Sequence, residues 1–489
     1  MPVAAQVIRH AATRPDRVAV SGPYGEITYA ELTRRMHRTA AHLAAGLPQT
    51  GPHGSVGKTT AHLAAGLHPS DPHGAGSGRA AGGHPQVGAR GAGPGWVVGI
   101  CLEDPVEQVV AVLAADLVGA TPLLYEAALR EGVPADLFVE SLPDCGPDSF
   151  AGVEPSPHDL AWACFSSGST GRPRAVVRTR ASWTGSFEPL SELTGIGADD
   201  VVLVPGALVS SLYGFAAMHA LAVGATVLAP GRWAAGALPE LLRRATAVHL
   251  VPHLLPRLLD ALPERAPLRV AVVGGAALSS EVRERAREVG VRVVAYYGAT
   301  ELSFVAVDDD GGGLRPFPGV EIEVRPPRGE VWARSPWLAE GYLGGVAGPL
   351  KIEDKWMSVG DLADPYTPGE PLRLRGRGDG AIQTGGATVV PEDVEEVLRR
   401  VPGVGDVVVV GTPHPGLGSV VTAVVEAGAG ALPSKADLEA AARAGLAAAQ
   451  RPRRWYAITR MPRTPTGKPA RAQLAARLTT PDPELRRLR

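Results

Sequence analysis

Cysteine is scarce. The chain holds three, Cys101, Cys145 and Cys164, scattered and without any CxxC spacing, which argues against a disulfide framework and a cysteine zinc site. Cys164 lies in the apolar run 160–165 and reads as a small buried hydrophobe. Net charge is nearly absent: 48 Lys and Arg against 50 Asp and Glu give −2. No strong field is there to draw nucleic acid or an anionic membrane. The opening residues, MPVAAQVIRHAATRPDR, lack the apolar core of a signal peptide. Charge is also missing from 201–231, yet Pro205, Gly206, Ser210, Ser211, Gly214, His219 and Gly224 interrupt that stretch. It reads as a buried strand, helix and strand rather than a membrane span. These absences point to a cytoplasmic protein.

What is present is a globular composition, 45% hydrophobic and 20% charged, over 489 residues. That length calls for more than one core. Residues 2–47 read as helix with a short strand, ITYAEL (27–32) leading into a helix. From 48 to about 94 the texture changes to Gly, Pro, His, Ser and Ala. AHLAAGL at 41–47 returns at 61–67, and PHG at 52–54 returns at 72–74, so this insertion looks like a local duplication. With few large apolar residues it is expected to be a mobile surface insertion. It carries GSVGKTT (54–60), which imitates the end of a Walker loop. The required glycine five positions before Gly57 is Pro52, and no apolar strand precedes it.

Beyond the insertion, short apolar runs alternate with helical stretches, for example runs at 201–204, 226–229, 247–251, 269–273 and 292–296, and helices at 238–244, 253–261 and 279–288. Strand–helix–strand alternation predicts an α/β fold of mostly parallel sheets covered by helices. Ligands in such sheets bind beyond the carboxyl ends of strands. The tail past about 377 reads as a separate small α/β unit: helix at 390–401, strands at 406–411 and 420–427, then another helix.

The densest chemical signal is FSSGSTGRPR (165–174). Ser166, Ser167, Gly168, Ser169, Thr170 and Gly171 offer hydroxyl donors and unhindered N–H groups, and Arg172 and Arg174 add charge. This composition is a phosphate cradle on physical grounds. The stretch closely resembles the phosphate loop of the adenylate-forming superfamily, which includes acyl-CoA synthetases, peptide-synthetase adenylation domains and luciferases. Arg174 stands where that family usually has Lys, and Ala175 where it has Gly, so the charge is kept but the geometry changes. Further resemblances follow in family order. YYGATE (296–301) matches the aromatic-Gly-x-Thr-Glu signature and GGAAL (274–278) the small-residue segment beside adenine and acyl group. KWMSVGDL (355–362) matches the Gly-Asp signature, LRGRGD (374–379) the hinge, and PTGK (465–468) the C-terminal lysine loop.

The resemblance assigns roles residue by residue. Gly274, Gly275, Ala276, Tyr296, Gly298 and Ala299 line the nucleotide site, with Tyr297 stacking on adenine. Thr300 contacts the α-phosphate, and Glu301 helps hold Mg²⁺, which suits a hard cation. Asp361 accepts the two ribose hydroxyls, and Arg377 contacts ribose or phosphate. Asp379 is the pivot between a 1–376 ATP- and acid-binding domain and a 377–489 domain carrying the catalytic Lys468. A cation suits a step in which charge builds on the carboxylate, the α-phosphate and pyrophosphate. Gln383 replaces a frequent family lysine.

The implied reaction activates a carboxylic acid with ATP as acyl-AMP, then passes the acyl group to a thiol, CoA by default or the pantetheine arm of a carrier protein. Acyl-pocket candidates are Val209, Ser210, Tyr213, Gly214, Gly298 and Phe304. Amino-acid-activating relatives usually carry an Asp near Val209; LVSSLYGF (208–215) has no carboxylate. A buried ammonium without a partner is costly, so a fatty or aromatic acid is expected. The alternative of another class is a non-catalytic AMP-binding relative; the joint presence of Glu301, Asp361, Arg377 and Lys468 argues against it.

Overall fold

A computed structural model describes the chain except residues 1, 48–94, 153–155, 167–173, 232, 234, 378–381, 385–386, 415–417, 429, 447–449, 465–466, 481 and 489. The insertion therefore lies outside the described residues.

Local chemistry sets the elements. Helix Tyr29–Gly46 starts at Thr28, whose hydroxyl accepts from the Glu31 N–H. It buries Tyr29, Leu32, Met36, Ala40 and Leu43, one stripe at helical spacing. Helix Pro105–Leu117 is capped by Asp104 and has Pro at its first turn; nearly every residue from Val109 onward is buried, because it lies between layers. The uncharged stretch forms strand Val201–Leu203, helix Ser211–Ala222 and strand Thr226–Leu228. Ten consecutive helical residues there, Tyr213 to Ala222, are buried. Among the described residues no helix is long and apolar enough to cross a membrane.

Two sheets build the large N-terminal part. The first has nine strands, with a parallel centre of Val18–Gly22, Thr226–Leu228, Val201–Leu203, Ala247–Leu250, Val270–Gly274 and Arg292–Ala299. Its end turns antiparallel through Ser303–Asp308 and Arg315–Pro316. The second has six strands; Leu137–Val139, Val97–Ile100, Thr121–Leu124 and Leu160–Phe165 run parallel, then Ala175–Thr179 and Gly341–Tyr342 run antiparallel. Helices Val3–Thr13, Tyr29–Gly46, Pro105–Leu117 and Ser211–Ala222 share one apolar core with both sheets. A third sheet of six short strands, from Glu321–Arg325 to Leu374–Arg377, follows.

The C-terminal sheet, also of six strands among the described residues, is separately packed. Strands Val404–His414 and Gly418–Ala427 pair antiparallel over ten positions, and Arg454–Ile458 adds in parallel. Val407, Val409, Val421, Val425 and Trp455 fill one face under helices Pro391–Arg399 and Lys435–Gly445. The fold is thus α/β: a large domain of mostly parallel sheets, and a smaller sheet domain after it.

Candidate active site

The site lies beyond the carboxyl ends of the parallel strands, as expected for this architecture. Strand Val270–Gly274 ends in Gly274 and Gly275. A side chain at Gly274 would overlap the Tyr296 ring, its Cβ only 2.1 Å from Cζ. Gly275 has φ +92°, a conformation open to glycine. Lys468, from the C-terminal domain, crosses this glycine: a Cβ there would sit 3.2 Å from Lys468 Cε and 3.8 Å from Nζ. The lysine loop is braced from within. Thr464 N–H donates to the Lys468 carbonyl at 2.7 Å, and Gly467 N–H to that of Thr464 at 2.8 Å. Arg463 ties the loop to Asp406 at 2.6 Å. His253 lies against Gly467; burial, then the charge of Arg463, pushes its imidazole down to about 4.

The next strand carries the second group. Arg292–Ala299 turns tightly at Thr300 and Glu301 into Ser303–Asp308. Gly298 sits at a bulge where a Cβ would meet the Ser303 carbonyl oxygen at 2.1 Å. Thr300 Oγ1 lies 3.1 Å from Ser211 Oγ. Glu301 is buried at 4% exposure, and its Oε1 accepts from the Tyr342 hydroxyl at 2.9 Å. Burial and then the Glu301 charge push the Tyr342 hydroxyl up. Arg174 Nε donates to Ala347 O at 2.7 Å, with its guanidinium 6.0 Å above the Tyr342 ring. The phosphate-loop candidate springs from a hairpin closed by Ser166 N–H to Arg174 O at 2.8 Å. Its tip, Ser167, Gly168, Ser169, Thr170, Gly171 and Arg172, lies outside the described residues.

Tyr297 and Asp361 are brought together, the phenol donating to Asp361 Oδ2 at 2.8 Å. Asp361 and Arg377 are register partners on neighbouring antiparallel strands. Asp379 lies outside the described residues. Strand Leu374–Arg377 still belongs to the third sheet, and the C-terminal sheet starts at Ile382–Thr384.

A cavity of about 110 Å³ lies where Lys468, Gly275 and Thr300 meet; Tyr297, Glu301 and Asp361 are outside its lining. Of the sequence candidates, Ser210, Gly275, Tyr296, Gly298, Ala299, Thr300, Phe304 and Lys468 line it. Val209, Tyr213 and Gly214 do not: Tyr213 packs its ring over Gly206, Gly214 lets Trp162 approach, and Val209 packs on the main core. Gly274 lies beneath the Tyr296 ring, and Ala276 is exposed. Phe215, on the same helix as Tyr213, takes the wall, together with Trp183, Arg178 and Cys164. Sequence reasoning included Phe215 in the 209–215 stretch but passed over Trp183, Arg178 and Cys164 as lining residues. Helix Ser211–Ala222 is apolar all round, so no pattern marks its cavity side. Arg178 did leave a signal, as a charge inside the apolar strand Ala175–Thr179.

The models of two families match this chain: the AMP-binding enzyme over residues 139–343 and the AMP-binding enzyme C-terminal domain over 393–468. An uncharacterized acyl–CoA ligase, YhfT of Bacillus subtilis (strain 168), is 31% identical over 333 residues, 63% of this chain and 67% of the relative. The fatty acid–[acyl-carrier-protein] ligase ScoC of Streptomyces coeruleorubidus is 30% identical over 367 residues, 66% of this chain and 70% of its own. The aligned stretch thus spans about two thirds of each relative. ATP-bound MatB from Rhodopseudomonas palustris shares the fold, with a TM-score of 0.77 at 22% identity, covering 97% of this chain and 99% of that one. The chain belongs to the AMP-binding, adenylate-forming enzymes.

Proposed function

We propose that this protein is an acid–thiol ligase of the AMP-forming type. It activates a fatty or aromatic acid with ATP and passes the acyl group to CoA, acting in the cytoplasm. The observation that carries this reading is Lys468 lying across Gly275 in the cavity that Thr300 also lines. In the first half-reaction a carboxylate oxygen attacks the α-phosphorus and pyrophosphate leaves. Residues 166–174, Thr300 and Lys468 neutralise the phosphate charge and hold the atoms in line. Tyr297 and Asp361 hold the nucleoside, and Arg377 contributes from the strand paired with that of Asp361.

Glu301 fits a Mg²⁺ partner: it is a buried carboxylate whose Oε1 accepts from the Tyr342 phenol. Among the described residues no three His, Cys, Asp or Glu converge, so nucleotide oxygens would complete the shell. The ion would offset phosphate charge. In the second half-reaction the small domain turns about Asp379, Lys468 withdraws, and a thiol attacks the activated carbonyl. AMP leaves and the thiol proton is released.

ScoC is a ligase for an acyl-carrier protein by name, which favours a second reading with a carrier's pantetheine thiol as acceptor. Both readings share one test. Pyrophosphate exchange into ATP should depend on a carboxylic acid, and Lys468→Ala should slow it at least ~100-fold, the scale for a lost charge-stabilising donor. Thioester formation from supplied acyl-AMP should persist in that variant. Equal loss of both steps would refute the exchange of Lys468 between conformations. Offering CoA against a carrier protein decides the acceptor.

A further inference from the structure

The cavity has two features that together select an acid, taking the adenylation reading as given. The first is its size and stiffness. At about 110 Å³ it is of the order of the ~150 Å³ cavity that admits benzene in an engineered protein. Its walls are backed by a second aromatic layer. Trp183 stacks on Trp162 at 4.3 Å and meets Phe215 edge-on at 5.1 Å. Phe304 packs on Phe215 at 5.1 Å and stacks on Phe317 at 4.8 Å. Interlocked rings do not move aside without losing contacts on their far sides, so this wall resists deeper entry of a long alkyl chain.

The second feature is Arg178. It lines the cavity yet is only 3% exposed. Its guanidinium donates to Ser182 Oγ at 3.0 Å and to the carbonyls of Trp337 and Thr300. These neutral acceptors engage three of its five N–H groups. Among the described residues no carboxylate lies within ion-pair distance of it, whereas the neighbouring buried Arg180 has Asp116. Burial lowers Arg178 to about 10, which leaves it charged at neutral pH. The nearby Glu301 carboxylate offsets the charge of Arg178 only through space, without a direct pair; a buried cation lacking a paired anion is costly, by several kcal/mol, and the cavity that Arg178 lines is where a further anion can reach it.

We propose that the acid is compact, no larger than one substituted ring, and carries a second anionic oxygen that Arg178 binds. The reacting carboxylate lies at the Lys468 and Thr300 end, and the second anion lies against the guanidinium. Arg178 is then a specificity residue rather than a partner of the reacting group.

Titration calorimetry on the full chain tests this with AMP and with non-hydrolysable acyl-sulfamoyl adenosines: benzoyl, carboxybenzoyl, succinyl and dodecanoyl. Benzoyl should bind at least ~10-fold tighter than AMP, and dodecanoyl no tighter than AMP. A carboxyl group on the acyl part should add a further ~10-fold, as for a charge-assisted contact. Arg178→Met should erase that last increment while AMP and benzoyl binding stay within about threefold; Arg178→Lys should keep part of it. Dodecanoyl as the tightest ligand would overturn the size limit. Uniform weakening of every acyl form by Arg178→Met, with AMP binding intact, would overturn the second-anion role and leave Arg178 as a positioning residue for Thr300. Failure of the native chain to bind AMP would instead remove the adenylation reading itself, and this proposal with it.

Discussion

Asp116→Ala should destabilise the large domain by about 4 kcal/mol. Asp116, on helix Pro105–Leu117, pairs through Oδ1 with Arg180, and its Oδ2 accepts the Ala4 N–H at 3.0 Å. Both side chains are buried, at 7% for Asp116 and 3% for Arg180. Arg180 Nε and Nη2 have no acceptor among the described residues, so Asp116 is what compensates the charge. Removing one member of a buried pair costs about 3–5 kcal/mol, because the other charge stays buried. The orphaned Ala4 N–H adds about 1 kcal/mol, and local relaxation or water entry subtracts a similar amount. Equilibrium urea unfolding measures this, followed by tryptophan fluorescence, since the Trp162–Trp183 stack borders the same small cavity as the pair. With a slope of about 2–3 kcal/mol per M, the midpoint should fall by roughly 1.5 M. Asp116→Ala with Arg180→Met removes both charges, so it should recover more than half of the loss. A shift below about 1 kcal/mol for Asp116→Ala, or no recovery in the double variant, would refute the account.

Two more outcomes are expected. Gly275→Ala places a methyl 3.2 Å from Lys468 Cε at φ +92°, a backbone strain of about 1–2 kcal/mol; pyrophosphate exchange should fall roughly 10-fold, and thioester formation from supplied acyl-AMP should fall less, with equal losses contradicting the geometry. Stability should also decline in acid through two buried histidines. Burial pushes His219 down to about 4 and His249 to about 3. The unfolded chain then binds more protons below pH ~6.5, so this stabilisation is complete above pH ~6.5 and is lost as pH falls towards 3–4, by at most ~1.4 kcal/mol per pH unit for each ring. His249→Gln should flatten the dependence of the urea midpoint on pH between 6.5 and 4.5; an unchanged slope would show that His249 is not responsible.

Local patterns were legible wherever one segment carried its own explanation. ITYAEL at 27–32 announced the helix that Thr28 caps, and the breakers inside 201–231 announced strand, helix and strand. The expected strand at 292–296 runs on to Ala299 because its hairpin partner Ser303–Asp308 continues the ladder, which no local pattern encodes. The expected helix at 253–261 begins as a 3₁₀ turn, Pro252–Leu254, before Leu255–Asp260, since Pro252 and Pro256 each remove a backbone donor. In the pocket, Ser210 and Phe304 line the wall, but Tyr213 packs over Gly206 while Phe215 faces the cavity. A helix buried on all sides gives both residues the same apolar surroundings in sequence.

The sequence by itself determined the chemistry on offer: a hydroxyl- and glycine-rich loop at 166–171, a Thr-Glu pair at a strand end, an aspartate after glycine at 361, and a lysine after glycine at 468. These are short-range facts, set by residue type and spacing. Only the tertiary structure decided that Lys468 crosses Gly275, that Tyr297 donates to Asp361, and that Arg178 is a buried cation beside a ring-sized cavity. Each depends on burial and on contacts between segments far apart in the chain, and desolvation is a property of the assembled packing.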